Sequence, residues 1–502
     1  MPTSWIRLYA RGFLLSPDSV AFMDDLEHFQ RHELSGAVLY ADDITEIGIA
    51  TAGNDWVVTL GKLLPLSTGL IQSVGSDIAE ELMARLLRDG LPGLEAALYD
   101  LGGRHAVLVN LGGQIYAYND AAGHRTVYFN PAQQRIGSHF DMLHRLSAVS
   151  ELSCPVGSQN YDAHPEGLWD VTENPHIRAL LPNHRLHLQH GVQQRFALMT
   201  ANPYTHLPWR ERLELIHQFW HEQLDHVFAS SPSSPVGLSL SGGLDSRTML
   251  AHMRPYLKRT RAFTYTSLNV HDGSEPETFW EKTVTTDHNV LAQMHDLLPE
   301  DFHVIHRAPG RNLTQDQDEI MRRNTMRNHG RNLVKLYREL FCDINSIHLR
   351  GNLVELGRLI RGQLHIEGQR QRLAPIIQAV GRRRKPDMKA YRKFFWDKVD
   401  QFQYDDVHSD FEYTDVYHWE NRSSRWYAEV ANETDTVFDS IVPVNVRRIY
   451  ELLISPPVCV RPTAQLQRDL IHHAWPELLA YGINTEDDLY TTGLRNQLGE
   501  LT

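Results

Sequence analysis

Six residues near the middle of the chain are suited to phosphate chemistry. Residues 241–246 are Ser-Gly-Gly-Leu-Asp-Ser. Gly242 and Gly243 let the backbone approach an oxyanion closely, and amide groups at the start of a following helix would point toward that anion. Ser241 and Ser246 can donate hydroxyl hydrogen bonds to the same oxygens. The pattern predicts a site for two linked phosphates, and a glycine-rich surface turn is the alternative.

The acid in this stretch, Asp245, indicates a metal ion. A carboxylate beside a phosphate is repelled unless a divalent cation lies between them, and Mg²⁺ prefers oxygen ligands of this kind. The chain has no G-x-x-x-x-G-K-[ST] motif, which holds the phosphates in GTPases and many ATPases. We therefore expect ATP and Mg²⁺ as cofactors, with cleavage between the α- and β-phosphates and release of pyrophosphate.

The flanking segments predict that the loop follows a strand of a parallel sheet. Residues 213–228 have a helical pattern, residues 236–240 and 262–266 are short apolar strands, and residues 247–253 between them are a predicted helix. Strands that alternate with helices form parallel sheets, which bind ligands at the carboxyl ends of their strands. We expect an α/β domain over residues 206–502.

The first part of the chain has a different pattern. Residues 105–109 and 114–118 flank a Gly-Gly turn and predict a β-hairpin, and residues 185–196 predict another. Residues 78–87 have helical spacing and end before Gly90, which should stop the helix. We expect an N-terminal α+β sandwich domain over residues 1–205.

The composition of the chain limits the classes of partner and the cellular compartment that we expect. A formal charge of -13 over 502 residues argues against a nucleic-acid footprint and favours a small-molecule or peptide substrate. The three cysteines, Cys154, Cys342 and Cys459, have no C-x-x-C spacing, so we expect neither disulfides nor a zinc cluster. No run approaches the roughly 18–20 apolar residues that cross a bilayer. We expect a cytoplasmic protein that is not membrane-bound, with a homodimer as one option.

The loop, with a strand before it and a helix after it, resembles the ATP pyrophosphatase loop of the asparagine synthetase superfamily. The resemblance implies an ATP-dependent amide-forming ligase that adenylates a carboxylate, with Asp245 holding Mg²⁺ on the pyrophosphate. It also implies an amidotransferase-like N-terminal domain. Weaker similarities to that domain and to the acceptor pocket lie in residues 102–109, 120–125, 181–186, 419–422 and 439–445. The implied nucleotide-binding residues are Ser239, Ser241, Gly242, Gly243, Leu244, Asp245, Ser246, Thr266 and Gly351.

The chain departs from this family at its N-terminus. Glutamine-hydrolysing members need an N-terminal cysteine as nucleophile, whereas position 2 is Pro2 and no cysteine precedes residue 154. The amine should therefore not come from glutamine. We prefer an amine carried by the substrate itself, as in β-lactam synthetases and lasso-peptide cyclases. Free ammonia, a separate amine, and a catalytically inactive nucleotide-binding protein are the alternatives.

A second family signature, a Gly-rich turn that ends in Asp-Glu, corresponds to residues 349–355. Val354 stands at the place of the aspartate, so Glu355 is the acid that is left. The resemblance implies that Glu355 is a second metal ligand and a catalytic residue. The alternative is an ordinary glutamate at the start of a helix. Arg350 is a further candidate for contact with phosphate.

The family also has a lysine near the C-terminus that stabilises charge during adenylation. This chain has no lysine after Lys398. Arginine can bind phosphate in fixed geometry but has no usable neutral form as a base. Of the candidates Arg447, Arg448, Arg461 and Arg468, we take Arg461 and Arg468 as the catalytic replacements.

Other candidates are weaker. In β-lactam synthetases a Tyr–Glu pair deprotonates the amine, and the plausible positions here are Tyr413, Tyr417, Glu412 and Glu420. The histidines are scattered, and His221 and His226 lie five positions apart, so we predict no histidine metal site. The basic stretch of residues 382–398 is interpreted as a solvated helix face, with an anionic-substrate contact or an active-site lid as alternatives.

Overall fold

The computed structural model describes residues 5–149, 151–153, 156, 167–267, 273–307, 313–326, 330–358 and 366–484. These residues form two six-stranded antiparallel sheets and one five-stranded sheet in which all strands are parallel. The prediction of a mixed α/β architecture is confirmed at this level. Pro2 and Cys154 lie outside the described residues.

The two antiparallel sheets come from residues 13–195. The first has the strand order β10-β8-β9-β1-β3-β2, and the second has the order β12-β11-β7-β6-β5-β4. The strands are β1 (Phe13–Ser16), β2 (Phe29–Leu34), β3 (Ala37–Asp42), β4 (Ile47–Ala52), β5 (Asp55–Pro65), β6 (Leu101–Leu111), β7 (Gln114–Asn119), β8 (Tyr128–Asn130), β9 (Arg135–Gly137), β10 (Arg178–Ala179), β11 (His184–His187) and β12 (Val192–Arg195).

These sheets pack face to face. One apolar core joins Phe13 and Leu39 of the first sheet to Trp56 and Leu108 of the second, and all four are buried. Alternate residues of β5 and β6 point to the opposite face, where helix α2 (Ile78–Leu98) covers them. Short helices α1 (Ala21–Asp24) and α3 (Phe140–Arg145) lie against the outer side of the first sheet.

Both predicted hairpins are present, and the predicted helix is interrupted at Gly90 as expected. β6 and β7 pair through Leu111 and Gln114, and β11 and β12 pair as the second hairpin. Gly90 has a non-helical backbone, with φ 67° and ψ -162°, and α2 therefore consists of two helical segments that meet at a kink, the second of which continues to Leu98. Glycine adopts this backbone conformation without the penalty that a side chain would add.

The parallel sheet has the order β15-β14-β13-β16-β17. Its strands are β13 (Val236–Ser239), β14 (Thr260–Ser267), β15 (His303–Arg307), β16 (Ile347–Leu349) and β17 (Asp439–Ile441). The helices of this region are α4 (Trp209–Ser230), α5 (Leu244–His252), α6 (Phe279–Gln293), α7 (Gln315–Asn324), α8 (Arg331–Leu340), α9 (Gln369–Arg372), α10 (Ala374–Arg384), α11 (Met388–Gln401), α12 (Tyr413–Tyr417), a π-helix (His418–Tyr427), α13 (Ala428–Thr434), α14 (Arg447–Ile454) and α15 (Gln465–Ala474).

The order of strands in the parallel sheet changes direction at β13. The chain adds β14 and β15 on one side of β13, and then adds β16 on the other side. The loops that follow β13 and β16 therefore diverge at one point of the sheet edge. Ligands of open α/β sheets bind at such topological switch points.

Helix α5 begins earlier than predicted. It starts at Leu244 rather than at residue 247, so the second half of the loop forms its first turn. Gly243 is extended and precedes this turn, which lets the chain leave the strand and enter the helix without further residues. No helix among the described residues combines the length and the apolar character needed to span a membrane.

Buried ion pairs join the antiparallel sheets to the helices before β17. Arg104 of β6 donates to Asp435 at 2.9 Å, and both side chains are almost completely buried. Arg195 of β12 donates to Glu420 at 2.7 and 3.0 Å, and neither side chain is exposed. Removing either partner would leave an uncompensated charge in the interior.

Candidate active site

The predicted loop lies at the carboxyl end of β13 and is held by its own hydroxyl groups. Ser246 Oγ lies 2.9 Å from Ser241 Oγ and donates to the Ser241 carbonyl at 2.9 Å. The amide of Gly243 donates to Ser241 Oγ at 3.2 Å. These contacts fix the loop as a tight turn that leads directly into α5.

One of the two glycine amides has a partner that the sequence did not indicate. Gly242 donates its amide to Asp287 Oδ1 of α6 at 2.7 Å. The open amides at this position are instead those of the first turn of α5, from Leu244 to Ser246, which have no carbonyl partner within the helix. An anion at the loop would therefore meet mainly the amides of the helix start.

Gly351 follows β16 and packs directly on this helix start. A Cβ atom at Gly351 would lie 2.7 Å from the carbonyl oxygen of Asp245 and 2.9 Å from Cα of Ser246. These distances are shorter than real Cβ contacts, so only glycine fits beside the loop. The loops after β13 and β16 form one unit.

Two cavities meet at this unit. The smaller has a volume of about 270 Å³ and the larger about 550 Å³. Asp245 and Tyr427 line both. The smaller cavity is lined by Ser239, Leu240, Ser241, Asp245, Ser246, Tyr265, Gly330, Tyr337, His348, Arg350, Gly351, Asn352, Trp426, Tyr427, Val430 and Thr434. The larger is lined by Leu244, Asp245, Glu355, Arg358, His418, Arg422, Tyr427, Pro462, Thr463, Ala464, Arg468, Ile483 and Asn484.

Most of the predicted nucleotide residues lie at these cavities. Leu244 lines the larger one, whereas Gly242 and Gly243 lie behind the lining. Thr266 is buried and does not line either cavity, whereas its neighbour Tyr265 does. Successive residues of a strand point to opposite faces, which is why Tyr265 reaches the cavity and Thr266 does not. Those that line the smaller cavity are Ser239, Ser241, Asp245, Ser246 and Gly351.

The two predicted metal ligands face the larger cavity together. Burial and the nearby charge of Glu355 raise the pKa of Asp245. Burial acts in the same direction on Glu355, but hydrogen bonds from His418 and Tyr427 outweigh it and lower the pKa of Glu355. Asp245 Oδ1 and Glu355 Oε2 are buried without a hydrogen-bond partner.

These two unpartnered oxygens fit a hard cation such as Mg²⁺. Mg²⁺ usually takes one or two protein carboxylates and completes its shell with water and substrate phosphates. Among the described residues, no group of three or more His, Cys, Asp and Glu side chains is placed to hold a metal ion. Asp245 and Glu355 alone would therefore bind Mg²⁺ in combination with phosphate rather than as a complete protein cage.

Arg358 is the principal residue that the sequence did not reveal. It donates Nη2 to Asp245 Oδ2 at 2.6 Å, with 33% of its side chain exposed at the larger cavity. It follows the turn of residues Val354–Gly357 that carries Glu355. The feature of the sequence that could have identified Arg358 is its position three residues after Glu355.

Glu355 forms a Tyr–Glu pair at the two cavities. Tyr427 donates its hydroxyl to Glu355 Oε1 at 3.1 Å, and a ring nitrogen of His418 lies 3.5 Å from the same oxygen. Burial, followed by the charge of Glu355, raises the pKa of Tyr427 well above its ordinary value. Tyr427 therefore keeps its proton and acts as a donor.

The four residues predicted for such a pair have other contacts, and none lines either cavity. Glu420 binds Arg195 in the interior, and Glu412 accepts from Arg372 at 2.5 Å. Tyr413 packs edge-on against Tyr404, and Tyr417 packs edge-on against Trp169.

The π-helix explains how one segment supplies several cavity residues. Its i→i+5 bonding gives about 4.4 residues per turn, so positions 418, 422 and 427 lie near one face. His418 and Arg422 line the larger cavity and Tyr427 lines both. π-Helices are rare and frequently occur at functional sites.

The two predicted arginines have different surroundings. Arg468 of α15 lines the larger cavity. Arg461 is buried in an ion pair with Asp415 and does not line either cavity. Of the other candidates, Arg350 lines the smaller cavity, while Arg447 is buried against the carbonyl of Leu98.

The basic stretch and the histidines complete the sequence-based candidates. Lys393 pairs with Asp397 on the surface and Lys398 donates to buried Asp170, in keeping with a largely solvated helix.

The prediction that the histidines are scattered was wrong, because His217 and His221 lie one helical turn apart on α4. Four imidazoles, His217, His221, His252 and His473, form a cluster with ring centroids 4.2–5.7 Å apart between neighbours.

Neither a protein-family model nor any curated protein matches this chain.

Proposed function

We propose that the chain is an ATP-dependent amide-forming ligase of the asparagine synthetase superfamily, which activates a carboxylate as its acyl-adenylate. The observation that carries the proposal is the position of Asp245. It stands on the first turn of α5, at the switch point of a parallel sheet, and lines both cavities. A group between two cavities can act on the bond that joins their two occupants.

The smaller cavity suits the nucleoside and α-phosphate. Its walls come from the ends of β13, β14 and β16, with the aromatic ring of Tyr265 and the guanidinium of Arg350 among them. Aromatic side chains provide stacking area for a base, and arginine binds phosphate in fixed geometry. The helix start of α5 supplies amides toward the phosphates.

The larger cavity suits groups that carry negative charge. Arg358, Arg422 and Arg468 line it together. When bound, Mg²⁺ at Asp245 and Glu355 would neutralise charge on the phosphates. In the proposed reaction a substrate carboxylate attacks the α-phosphorus, pyrophosphate leaves among the arginines, and an amine displaces AMP to form the amide.

Glu355 is held beside Asp245 as an ionised carboxylate. Tyr427 and His418 fix its orientation and lower its pKa. In this proposal Glu355 is therefore a metal ligand, and Tyr427 orients it. We favour an amine within the substrate, which closes a ring, over ammonia or a separate amine. In the proposal residues 1–205 are a degenerate amidotransferase-like domain, and residues 206–502 are the synthetase domain.

Exchange of labelled pyrophosphate into ATP tests the adenylation step. Asp245→Asn should lower this exchange by about 10²–10³-fold, because the loop loses a charge that organises the leaving group. The melting temperature should stay close to that of the parent, since the change preserves shape and the relieved repulsion with Glu355 offsets the lost ion pair with Arg358. Asp296→Asn is the matched control, because that carboxylate is 99% exposed.

Product mass separates the versions of the proposal. Loss of one water from the substrate supports ring closure, whereas the added mass of an amine, less water, supports a separate nucleophile. Absence of exchange in the parent protein with a panel of carboxylates, together with nucleotide-induced thermal stabilisation, would support a binding-only protein instead.

A further inference from the structure

Arg358 neutralises the carboxylate that we propose as a metal ligand. Its guanidinium donates to Asp245 Oδ2 at 2.6 Å, and 33% and 27% of the two side chains are exposed at the larger cavity. Glu355 faces the same cavity and has one buried oxygen without a partner. Arg358 thus supplies a positive charge that compensates the two neighbouring carboxylates when no metal ion is bound.

The turn before Arg358 holds it in this position. The Arg358 amide donates to the carbonyl of Glu355 at 3.1 Å. A Cβ atom at Gly357 would lie 2.6 Å from Gln467 Nε2, which donates to the carbonyl of Val354 at 2.8 Å. The backbone of this turn is therefore packed against α15, and freedom of movement resides in the Arg358 side chain.

The sequence around Glu355 carries less negative charge than the resemblance leads us to expect. Val354 replaces the acid that the resemblance leads us to expect, and a positive charge lies four residues later. Two carboxylates and one contacting guanidinium leave a net charge of about -1 for a cation to bind. Free Mg²⁺ binds protein sites weakly unless several oxygen ligands compensate its dehydration.

We propose that Arg358 is a positioning residue that occupies Asp245 in the nucleotide-free protein, excludes free Mg²⁺, and moves onto phosphate oxygens when the metal arrives with the nucleotide. This inference rests on the proposed function. Phosphate is a strong bidentate partner for a guanidinium, so the incoming nucleotide competes for Arg358. Departure of Arg358 from Asp245 Oδ2 then leaves the full charge of the carboxylate to the metal bound at Oδ1, so metal and nucleotide enter together.

The test measures thermal stability in Mg²⁺ without any nucleotide. The parent should show no stabilisation by MgCl₂ at millimolar concentration beyond that in NaCl of equal ionic strength. Arg358→Gln should melt lower than the parent without Mg²⁺ and should regain stability as Mg²⁺ is added. Loss of one positive charge beside the ion should raise the apparent Mg²⁺ affinity at least about tenfold.

Three variants make the test specific. Arg358→Lys keeps the charge and should respond to Mg²⁺ like the parent. Arg358→Gln combined with Asp245→Asn should lose the gained response, which locates the ion. Arg370→Gln removes a surface arginine that pairs with Asp400 and Asp405 and should change nothing in the Mg²⁺ response.

Several results would overturn the inference. One is a parent protein that already binds Mg²⁺ without nucleotide, and another is an Arg358→Gln variant that responds no more than Arg370→Gln. If Arg358→Gln fails to fold, a parent-like Mg²⁺ response in Arg358→Lys still supports it, and a strong response in that variant opposes it. Failure of pyrophosphate exchange in the parent would remove the proposed function but would leave these metal measurements readable.

Discussion

Substitution of Gly351 by alanine gives a direct measure of how tightly the loops after β13 and β16 must fit. The new Cβ would lie 2.7 Å from the carbonyl oxygen of Asp245, whereas ordinary van der Waals contact begins near 3.4 Å. The backbone at the start of α5 must therefore move by about 0.7 Å. Gly351 has no positive φ, so the effect is steric rather than conformational.

The expected effect is larger on activity than on stability. Overpacking of this size lowers the unfolding free energy by about 1–3 kcal/mol. Misplacement of catalytic groups by about 1 Å can reduce a rate by about 10²-fold. We expect Gly351→Ala to lower pyrophosphate–ATP exchange by about 30–100-fold, while urea unfolding stays cooperative with a modest decrease in midpoint.

Gly137→Ala is the matched control. It lies in β9, and its Cβ would meet Leu14 and Leu143 at 3.4–3.5 Å, which is ordinary contact. Full exchange activity in Gly351→Ala would refute the reasoning, because the loop would then tolerate displacement. Equal losses in both variants would show that the effect comes from general destabilisation.

Two further predictions concern the buried charges. Arg195→Met should lower the unfolding free energy by about 3–5 kcal/mol because Glu420 is left buried and unpaired, and the double variant with Glu420→Met should recover most of it in urea unfolding. His139 has a pKa lowered to about 3 by burial and by the charges of Arg125 and Arg104, against about 6.5 when unfolded. The unfolded chain therefore binds the extra proton first, and stability falls with pH below about 6.5. Between pH 7 and pH 5 the His139→Gln variant should lose about 2 kcal/mol less than the parent.

Each of these two predictions has an outcome that would contradict it. A double variant as unstable as Arg195→Met alone would show that the pair is not the source of the loss. For the histidine, the comparison must be between variants, because burial raises the pKa of Asp42 to about 7 and that carboxyl acts in the opposite sense. Identical pH slopes for parent and variant would contradict a neutral His139.

The sequence predicted the parts of the site that depend on local pattern. The loop of residues 241–246, the strand before it and the helix after it follow from glycine, hydroxyl and apolar spacing within about a dozen residues. Gly351 was found through its place in a second short motif. Both segments meet in the structure because parallel strands bring their carboxyl ends to one edge.

Residues that act through tertiary contacts were missed. Asp287 lies on α6, 45 positions from the glycine amide that it accepts from. Tyr427 reaches Glu355 because the π-helix shifts the register of its face, and no simple 3.6-residue pattern indicates this. Arg461 was predicted to replace the family's lysine, but a buried ion pair with Asp415 holds it away from both cavities.

The antiparallel sheets support the helical segment that lines the candidate site. The helical segment of residues 413–435 binds them through Glu420, Glu429 and Asp435, which contact Arg195, Tyr128 and Arg104. The opposite face of the same segment lines both cavities. If the sheets were removed, these carboxylates would lose partners that compensate their burial, and the face that carries Tyr427 would lose its support. The antiparallel half therefore supports the residues that line the two cavities of the parallel half.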